Sequence, residues 1–403
     1  MMFLLRTAPL LLALAFVGCS RTPSTVSVDT LSWEQILHQA RGQTVNLAMW
    51  QGDPFINDYM KRYVAPALQS RFGIALRLQP GQGTELVSTL MTEIEARQTA
   101  SAIDLMWING ETFYQLRQLK ALHGPFTDRL PNSRYVDFAN RFIGVDFQQP
   151  IAGMECPWGN VQLLMIYHRD RVPAPPLTRD ALAAWVRAHP GRFTFDSSFT
   201  GMSFLKSLLY DLAGGEAALA GPFDGEKYAR HSAALWAYLK SLQPHLWREG
   251  RTFPASVTQQ HQLFVSGEID FTFGLNDGEV DNKVAQGFFP AAAQAAVLDA
   301  GTIRNSHYLG IVARSPRVAA AMVVCDFLIS PEAQLEKQKP SVWGDGTVLA
   351  LDRLPPEWRE KFAAAQVRRH SPPRAELETR ALPEPAAEYM VRLYADFRTE
   401  LLP

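Results

Sequence analysis

Cysteine is scarce in this chain, with three in 403 residues: Cys19, Cys156 and Cys325. None forms a CxxC pair or a Cys/His spacing that zinc would need. A Cys156–Cys325 disulfide and two buried free thiols are both open, and Cys325 lies within the apolar run 319–328, as a buried thiol would. An excess of one charge is also missing: 39 Lys and Arg face 40 Asp and Glu. No basic stripe is interleaved with aromatics, which excludes a nucleic-acid partner. GxSxG, HExxH, P-loop and GxGxxG patterns are absent, and the nine His are scattered without metal-ligand spacing. No metal and no cofactor are therefore expected. The one enzyme-like match is Ser203-Phe-Leu-Lys206, an SxxK, but its SDN and KTG partner motifs are missing. Beyond residue 18 no segment is long and apolar enough to span a bilayer.

What the chain does contain suits a large folded body. Apolar residues make up 47% and charged residues 20%, enough to fill a core. The length suggests two or three folding units. Nine Trp are more than a core readily accommodates, because each buried indole N–H needs a partner, so some are expected on a binding surface. Residues 1–18 read as a signal peptide: Arg6 is the positive end, and Pro9–Val17 is apolar but too short to span. It ends in Phe16-Val-Gly-Cys19, which resembles a lipobox with Phe in place of the usual Leu. Cys19 is thus the expected lipidation site, and residues 19–30 a polar tether; an ordinary secreted protein is the alternative.

From residue 31 the chain repeats a strand-loop-helix unit. Leu31–Ala40 reads as a helix capped by Ser32, and Thr44–Trp50 as a strand. Helix Phe55–Phe72 ends at Gly73, strand Ile74–Leu78 follows, and Thr84 can cap a helix with Leu86, Val87, Leu90, Met91 and Ile94 on one face. Ile103–Ile108 is a third strand. Farther on, Gln162–His168, Arg192–Phe195, Ile269–Phe273 and Ser306–Ala313 read as strands among helices, and the last sixty residues as Pro-punctuated helices. This alternation predicts an α/β architecture with mostly parallel sheets.

At Asp104-Leu-Met-Trp-Ile-Asn-Gly-Glu111, Pro157-Trp-Gly159, Phe199-Thr-Gly201, Phe264-Val-Ser-Gly-Glu-Ile-Asp270, Ser330-Pro-Glu-Ala-Gln334 and Val342-Trp-Gly-Asp345, the chain resembles known proteins. Taken in order, these short motifs are similar to bacterial extracellular solute-binding proteins of the polyamine, iron and thiamine type. The nearest resemblance is to the predicted thiamine-transport binding proteins of enterobacteria, over residues 31–403. It implies a two-lobed periplasmic binding protein fold of type II, each lobe a mostly parallel sheet flanked by helices, with a ligand cleft between. Lobe I would hold 31–153 plus 304–345, lobe II 154–303, and 346–403 would form a C-terminal helical segment. It also implies a monomer serving an ABC permease and its ATPase subunit, touching the membrane through the lipid anchor alone.

In open α/β sheets, ligands bind beyond the carboxyl ends of strands. Trp50, Gln51 and Asp53 follow the first strand; Trp50 offers a face to a cation, and Asp53 could pair with that cation or cap the next helix. Asn109 and Glu111 follow the third strand, Glu111 also suiting a helix start, whereas Trp107 within that strand is expected in the core. Ser197, Ser198 and Thr200 precede a helix and could hold a phosphate or carboxylate, or simply cap it. Asn276 and Asp277 end a strand, or form a tight turn. Trp158 lies where the chain should cross between lobes and could close on a ligand. Trp343 and Asp345 lie in a Gly-rich turn. Aromatic faces with carboxylates suit an organic cation such as thiamine or a polyamine. Iron fits less well without a Tyr pair, an anion would need fewer acids, and a periplasmic hydrolase is the rival class.

Overall fold

The computed structural model describes residues 27–365 and 368–402; the leader, Cys19 and most of the tether lie outside the described residues. Strand β1 (Thr44–Met49) pairs in parallel with β2 (Ala75–Pro80) on one side and β3 (Leu105–Ile108) on the other. The helices between them follow the expected signals. Ser32 caps helix Trp33–Ala40 in a capping box with Gln35. Gly73 ends the second helical run in the left-handed conformation that residues with a Cβ avoid. That run, Pro54–Phe72, contains a π-helical stretch at Tyr59–Val64. Helix Gly83–Glu95 starts one residue before Thr84, with Gln82 at its N-cap and no side-chain cap.

A small ribbon, β4 (Val145–Asp146) with β5 (Gln149–Pro150), precedes β6 (Cys156–Gln162). After Leu163 the chain runs straight on as β7 (Leu164–His168), which belongs to a different sheet. That second sheet has the order β8-β7-β9, with β8 at Phe271–Gly274 and β9 at Ala293–Ala296. The chain then returns to the first sheet as β10 (Thr302–Ile311), antiparallel to both β3 and β6. Finally β11 (Ala381–Leu382) pairs in parallel with the start of β10.

The expectation of mostly parallel pairing fits the run β1 to β3 and the short β10–β11 pair. The second sheet is antiparallel at both of its ladders. Arg192–Phe195, expected as a strand, is irregular because its carbonyls serve two partners: Asp270 N–H donates to Arg192 O and Trp247 N–H to Phe193 O. A continuous ladder there is broken, and no parallel neighbour forms.

Each sheet has its own core. Helix Val318–Leu328 is apolar but for Asp326, which accepts from Asn132, and is buried all round, wedged among β1, β10 and helix Trp33–Ala40. The second core gathers helices Phe199–Ala213, Gly225–Leu242 and the last helix, Ala387–Glu400, through Tyr389, Met390, Leu393 and Phe397. Cys156 and Cys325 are buried free thiols, with Cys156 Sγ 3.9 Å from the Cys325 carbonyl oxygen.

Candidate functional site

Loops at the ends of strands from both sheets converge on one cavity of about 570 Å³. That lies within the roughly 300–1,000 Å³ typical of small-molecule sites. Its walls include Trp50, Asp53, Asn109, Glu111, Ser197, Thr200, Asn276 and Trp343, all singled out in the sequence, together with Ser198 and Asp345.

The floor is aromatic. Trp107, Trp158, His307 and Trp343 form a cluster with ring centroids 5.0–6.0 Å apart, and His307 lies nearly parallel to Trp343. Trp107, expected in the core, is half-buried and lines the cavity. Trp158, expected to close on a ligand, is fully buried and supports the other rings from behind. Strand geometry explains the exchange, since β3 and β6 flank β10 on opposite edges and only β3 presents its Trp to the cavity.

The cluster is anchored by charge. His307 Nε2 lies 3.0 Å from Asp345 Oδ2, and Lys337 Nζ donates to that same oxygen at 2.5 Å. Burial pushes the Asp345 carboxyl up, but Lys337 and His307 outweigh it and hold it low. Gly159 makes room for this: a Cβ there would stand 1.8 Å from His307 Nε2 and 2.4 Å from Asp345 Oδ2.

Asp53 serves two structural partners. Oδ1 accepts from the Phe55 and Ile56 N–H groups, capping the helix, and Oδ2 accepts from Lys283 Nζ at 2.5 Å. Lys283 also lies 3.3 Å from Glu279, which stands 3.1 Å from His261. Burial alone would lower the Lys283 ammonium; Glu279 and Asp53 reverse that and raise it. Asp53 is therefore already neutralised by the protein rather than free for a ligand. Asp277 turns away from the cavity to Arg368 and Arg374, at 2.6 and 3.2 Å; burial raises its carboxyl, and the two guanidinium groups hold it well below the usual range. Gln51 also lies off the cavity wall, its carbonyl accepting from Asn57 Nδ2 at 2.9 Å. Asn276 lines the cavity but forms the tight turn as well, Oδ1 accepting from Gly278 N–H at 3.0 Å.

The helix start at Ser198 is occupied too. Asp196 Oδ1 accepts from both Ser198 N–H and Ser198 Oγ, so a carboxylate of the chain sits where an anionic ligand would bind. Ser197 Oγ donates to Pro254 O at 3.3 Å. The SxxK pair is inert: Ser203 Oγ donates to Phe199 O, and Lys206 is buried in an ion pair with Glu384.

Asn109 and Glu111 line the cavity with polar atoms that the protein leaves without a full set of partners. Asn109 occupies the N-cap position of helix Gly110–Gln118 without making a side-chain cap. Glu111 has a buried oxygen, Oε2, with no hydrogen-bond partner. Burial pushes its carboxyl up to about 7, against the pull of nearby Lys206. The sequence reading missed Glu279, Lys283, His307, Tyr394 and Arg398 on the wall. The i,i+4 spacing of Glu279 and Lys283 was the one visible signal among them.

The family described as bacterial extracellular solute-binding protein matches residues 63–364. Protein YnjB of Escherichia coli (strain K12) is 38% identical over 342 residues, 84% of this chain and 88% of its own length. Solved structures share the fold at low identity. The spermidine/putrescine ABC transporter substrate-binding protein PotD from Streptococcus pneumoniae has a TM-score of 0.60 at 14% identity, covering 89% of this chain and 99% of its own. The periplasmic binding protein AfuA from Actinobacillus pleuropneumoniae, with fructose-6-phosphate bound, has 0.62 at 14%, covering 89% and 98%. The apo ferric ion-binding protein A from Pasteurella haemolytica has 0.61 at 13%, covering 89% and 97%. These are binding proteins of transporters rather than enzymes.

Proposed function

The chain belongs to the bacterial extracellular solute-binding proteins that serve ABC transporters in the cell envelope, and from that premise we propose that its cargo is a small organic cation bearing an aromatic ring, with thiamine or a thiamine-like compound first in line. The observation that carries this reading is an aromatic floor of Trp107, His307 and Trp343 in the same cavity as Glu111, whose Oε2 has no hydrogen-bond partner. A cation over an indole face gains about 0.5–2 kcal/mol, most when water is excluded. Of the acids that line the cavity, Glu85 and Glu111 make no ion pair among the described residues, whereas Asp53, Glu279 and Asp345 are taken up by Lys283, Lys337 and His307. An anion such as a sugar phosphate fits less well, because Asp196 occupies the helix start that would hold it. Ferric iron finds little support, since Tyr394 is the single tyrosine on the cavity wall among the described residues and no Tyr pair stands there to supply phenolate ligands.

The mechanism we propose is hinge closure of two lobes around the β6–β7 and β9–β10 crossings; because β6 pairs with β10 in the first sheet, the first lobe extends to Gln162 rather than stopping at 153. Ligand contacts to both lobes favour the closed state, which the permease and its ATPase subunit then engage. The protein would act as a monomer, exported by residues 1–18 and held at the membrane by lipid on Cys19. A thermal-shift panel of thiamine, its phosphates, spermidine, putrescine, ferric citrate and fructose 6-phosphate tests the cargo, because a ligand bound only by the folded state adds to stability. A shift with thiamine compounds supports the reading. A shift with the anions or iron alone overturns it.

A further inference from the structure

The last helix, Ala387–Glu400, reaches the cavity through Val391, Tyr394 and Arg398. Spacings of three and four place these residues on one helix face. The adjoining face, about 100° round the helix, is fixed in the second core by Met390, Leu393 and Phe397, and Tyr228 Oη donates to Asp396 at 2.7 Å. The segment before the helix is held at Glu384, which pairs with Lys206 and accepts from Asn305 Nδ2 at 2.7 Å. The helix also packs against both Gly110–Gln118, which carries Glu111, and Phe199–Ala213. It is therefore a rigid third wall, touching elements of both cores.

Two features of this wall are unexplained by packing. Val391 is one of few large apolar side chains left exposed, at 43%. Arg398 makes no side-chain hydrogen bond or ion pair among the described residues, although acids are plentiful nearby in the sequence. Its place in the last helical turn suits the dipole, but any position in that turn would do so, and this one faces the cavity. Tyr394 lies within reach of the charge on Glu111, and burial raises its hydroxyl well above the ordinary value. Arg398 sits one turn farther along, about 6 Å by helix rise. The cavity thus changes sign along this helix, from the carboxyl of Glu111 on the neighbouring helix to the Arg398 guanidinium, which has no side-chain partner among the described residues.

We propose that the C-terminal helix is a specificity wall of the ligand cleft, and that Arg398 selects a singly cationic compound whose far end is acidic or neutral over a polycation. This rests on the cation reading above for the ring end of the ligand. At the far end a second ammonium would meet an unpaired guanidinium, whereas a phosphate or carboxylate would gain a charge-assisted, bidentate partner. Val391 covers the apolar middle.

Calorimetric titration of the full mature chain with thiamine monophosphate, thiamine, spermidine and fructose 6-phosphate, in the wild type and in Arg398→Gln, tests both layers separately. Arg398 is exposed, so the variant should keep the wild-type melting temperature. The expected result is at least tenfold preference for thiamine monophosphate over spermidine in the wild type. In the variant that preference should fall by about tenfold, with thiamine itself changing less than twofold. A preference unchanged within twofold overturns the role of Arg398 while leaving the cation reading intact. Wild-type binding of fructose 6-phosphate alone overturns the cation reading; a tenfold loss of that binding in the variant would still support the wall. Binding of none of the four compounds overturns both.

Discussion

Lys283 Nζ lies 2.5 Å from Asp53 Oδ2, joining the loop after β1 to helix Glu279–Ala285, which follows the second sheet's β8. A cation supplied by the chain thus holds the carboxylate that the sequence offered to a ligand. Both groups are nearly buried, with side-chain exposures of 3% and 11%. Removing one partner of such a pair leaves the other charge desolvated, at a cost of about 3 kcal/mol. Lys283→Met should therefore lower unfolding stability by about that amount in urea titrations. Asp53→Asn, which can still cap the Phe55 and Ile56 N–H groups through its amide oxygen, should cost less. Because the pair crosses between the two sheets' elements, Lys283→Met should also increase the radius of gyration of the ligand-free protein in small-angle scattering. An unchanged radius would show that the pair does not hold the cleft together.

Glu111 gives the binding reaction a pH signature. Burial raises its carboxyl from 4.5 to about 7, and a cation bound beside it would favour the ionised form and expel a proton. Affinity for thiamine should fall as pH drops from 8 to 6, and Glu111→Gln should remove that dependence. The stability effect has the opposite direction. A folded-state pKa raised above the unfolded value contributes stability below pH 4.5 that is lost as pH rises to about 7. The Gln variant should therefore gain stability relative to wild type at pH 8 and little at pH 4, as read by urea midpoints at the two pH values.

The two tryptophans of neighbouring motifs should separate binding from folding. Trp107 is half-buried on the cavity side, so Trp107→Leu should weaken cation binding by about tenfold, the lost cation–π term, while the fold persists. Trp158 is fully buried behind it, and Trp158→Ala should cost about 3–5 kcal/mol of stability. Circular dichroism melting beside fluorescence titration distinguishes the two outcomes. A folded Trp107→Leu protein with wild-type affinity would remove the aromatic floor from the binding account.

Local chemistry explains why part of this was legible in the sequence. Ser32, Gly73 and the apolar run 319–328 act through neighbours a few residues away, so cap, stop and buried helix could all be read directly. The motif Asp104–Glu111 placed a strand end at the cavity for the same reason. The functional state of each acid was not legible, because the deciding partner is remote. Asp53 and Lys283 are 230 residues apart, and Asp277 and Arg374 are 97 apart. Whether Asp196 or Thr200 controls the helix start depends on a turn that brings Asp196 back over Ser198. Which of Trp107 and Trp158 faces the cleft depends on strand order around β10, and residue spacing carries no information about that.

Gly159 ties the aromatic floor to its charged anchor. The backbone of β6 passes so close to His307 and Asp345 that a methyl group there would stand 1.8 and 2.4 Å from their polar atoms. Neither can retreat easily: His307 is packed among Trp107, Trp158 and Trp343, and Asp345 is fixed by Lys337. Gly159→Ala should therefore lower stability by about 2 kcal/mol, an overpacking cost, and weaken ligand binding by tilting the rings. Removing the imidazole creates the space the methyl needs. His307→Ala in the Gly159→Ala background should cost less than the two single changes added together, and a double-mutant cycle reads that coupling directly. Strict additivity would mean that β6 moves as a whole to relieve the clash and that Gly159 acts on the fold without acting through His307.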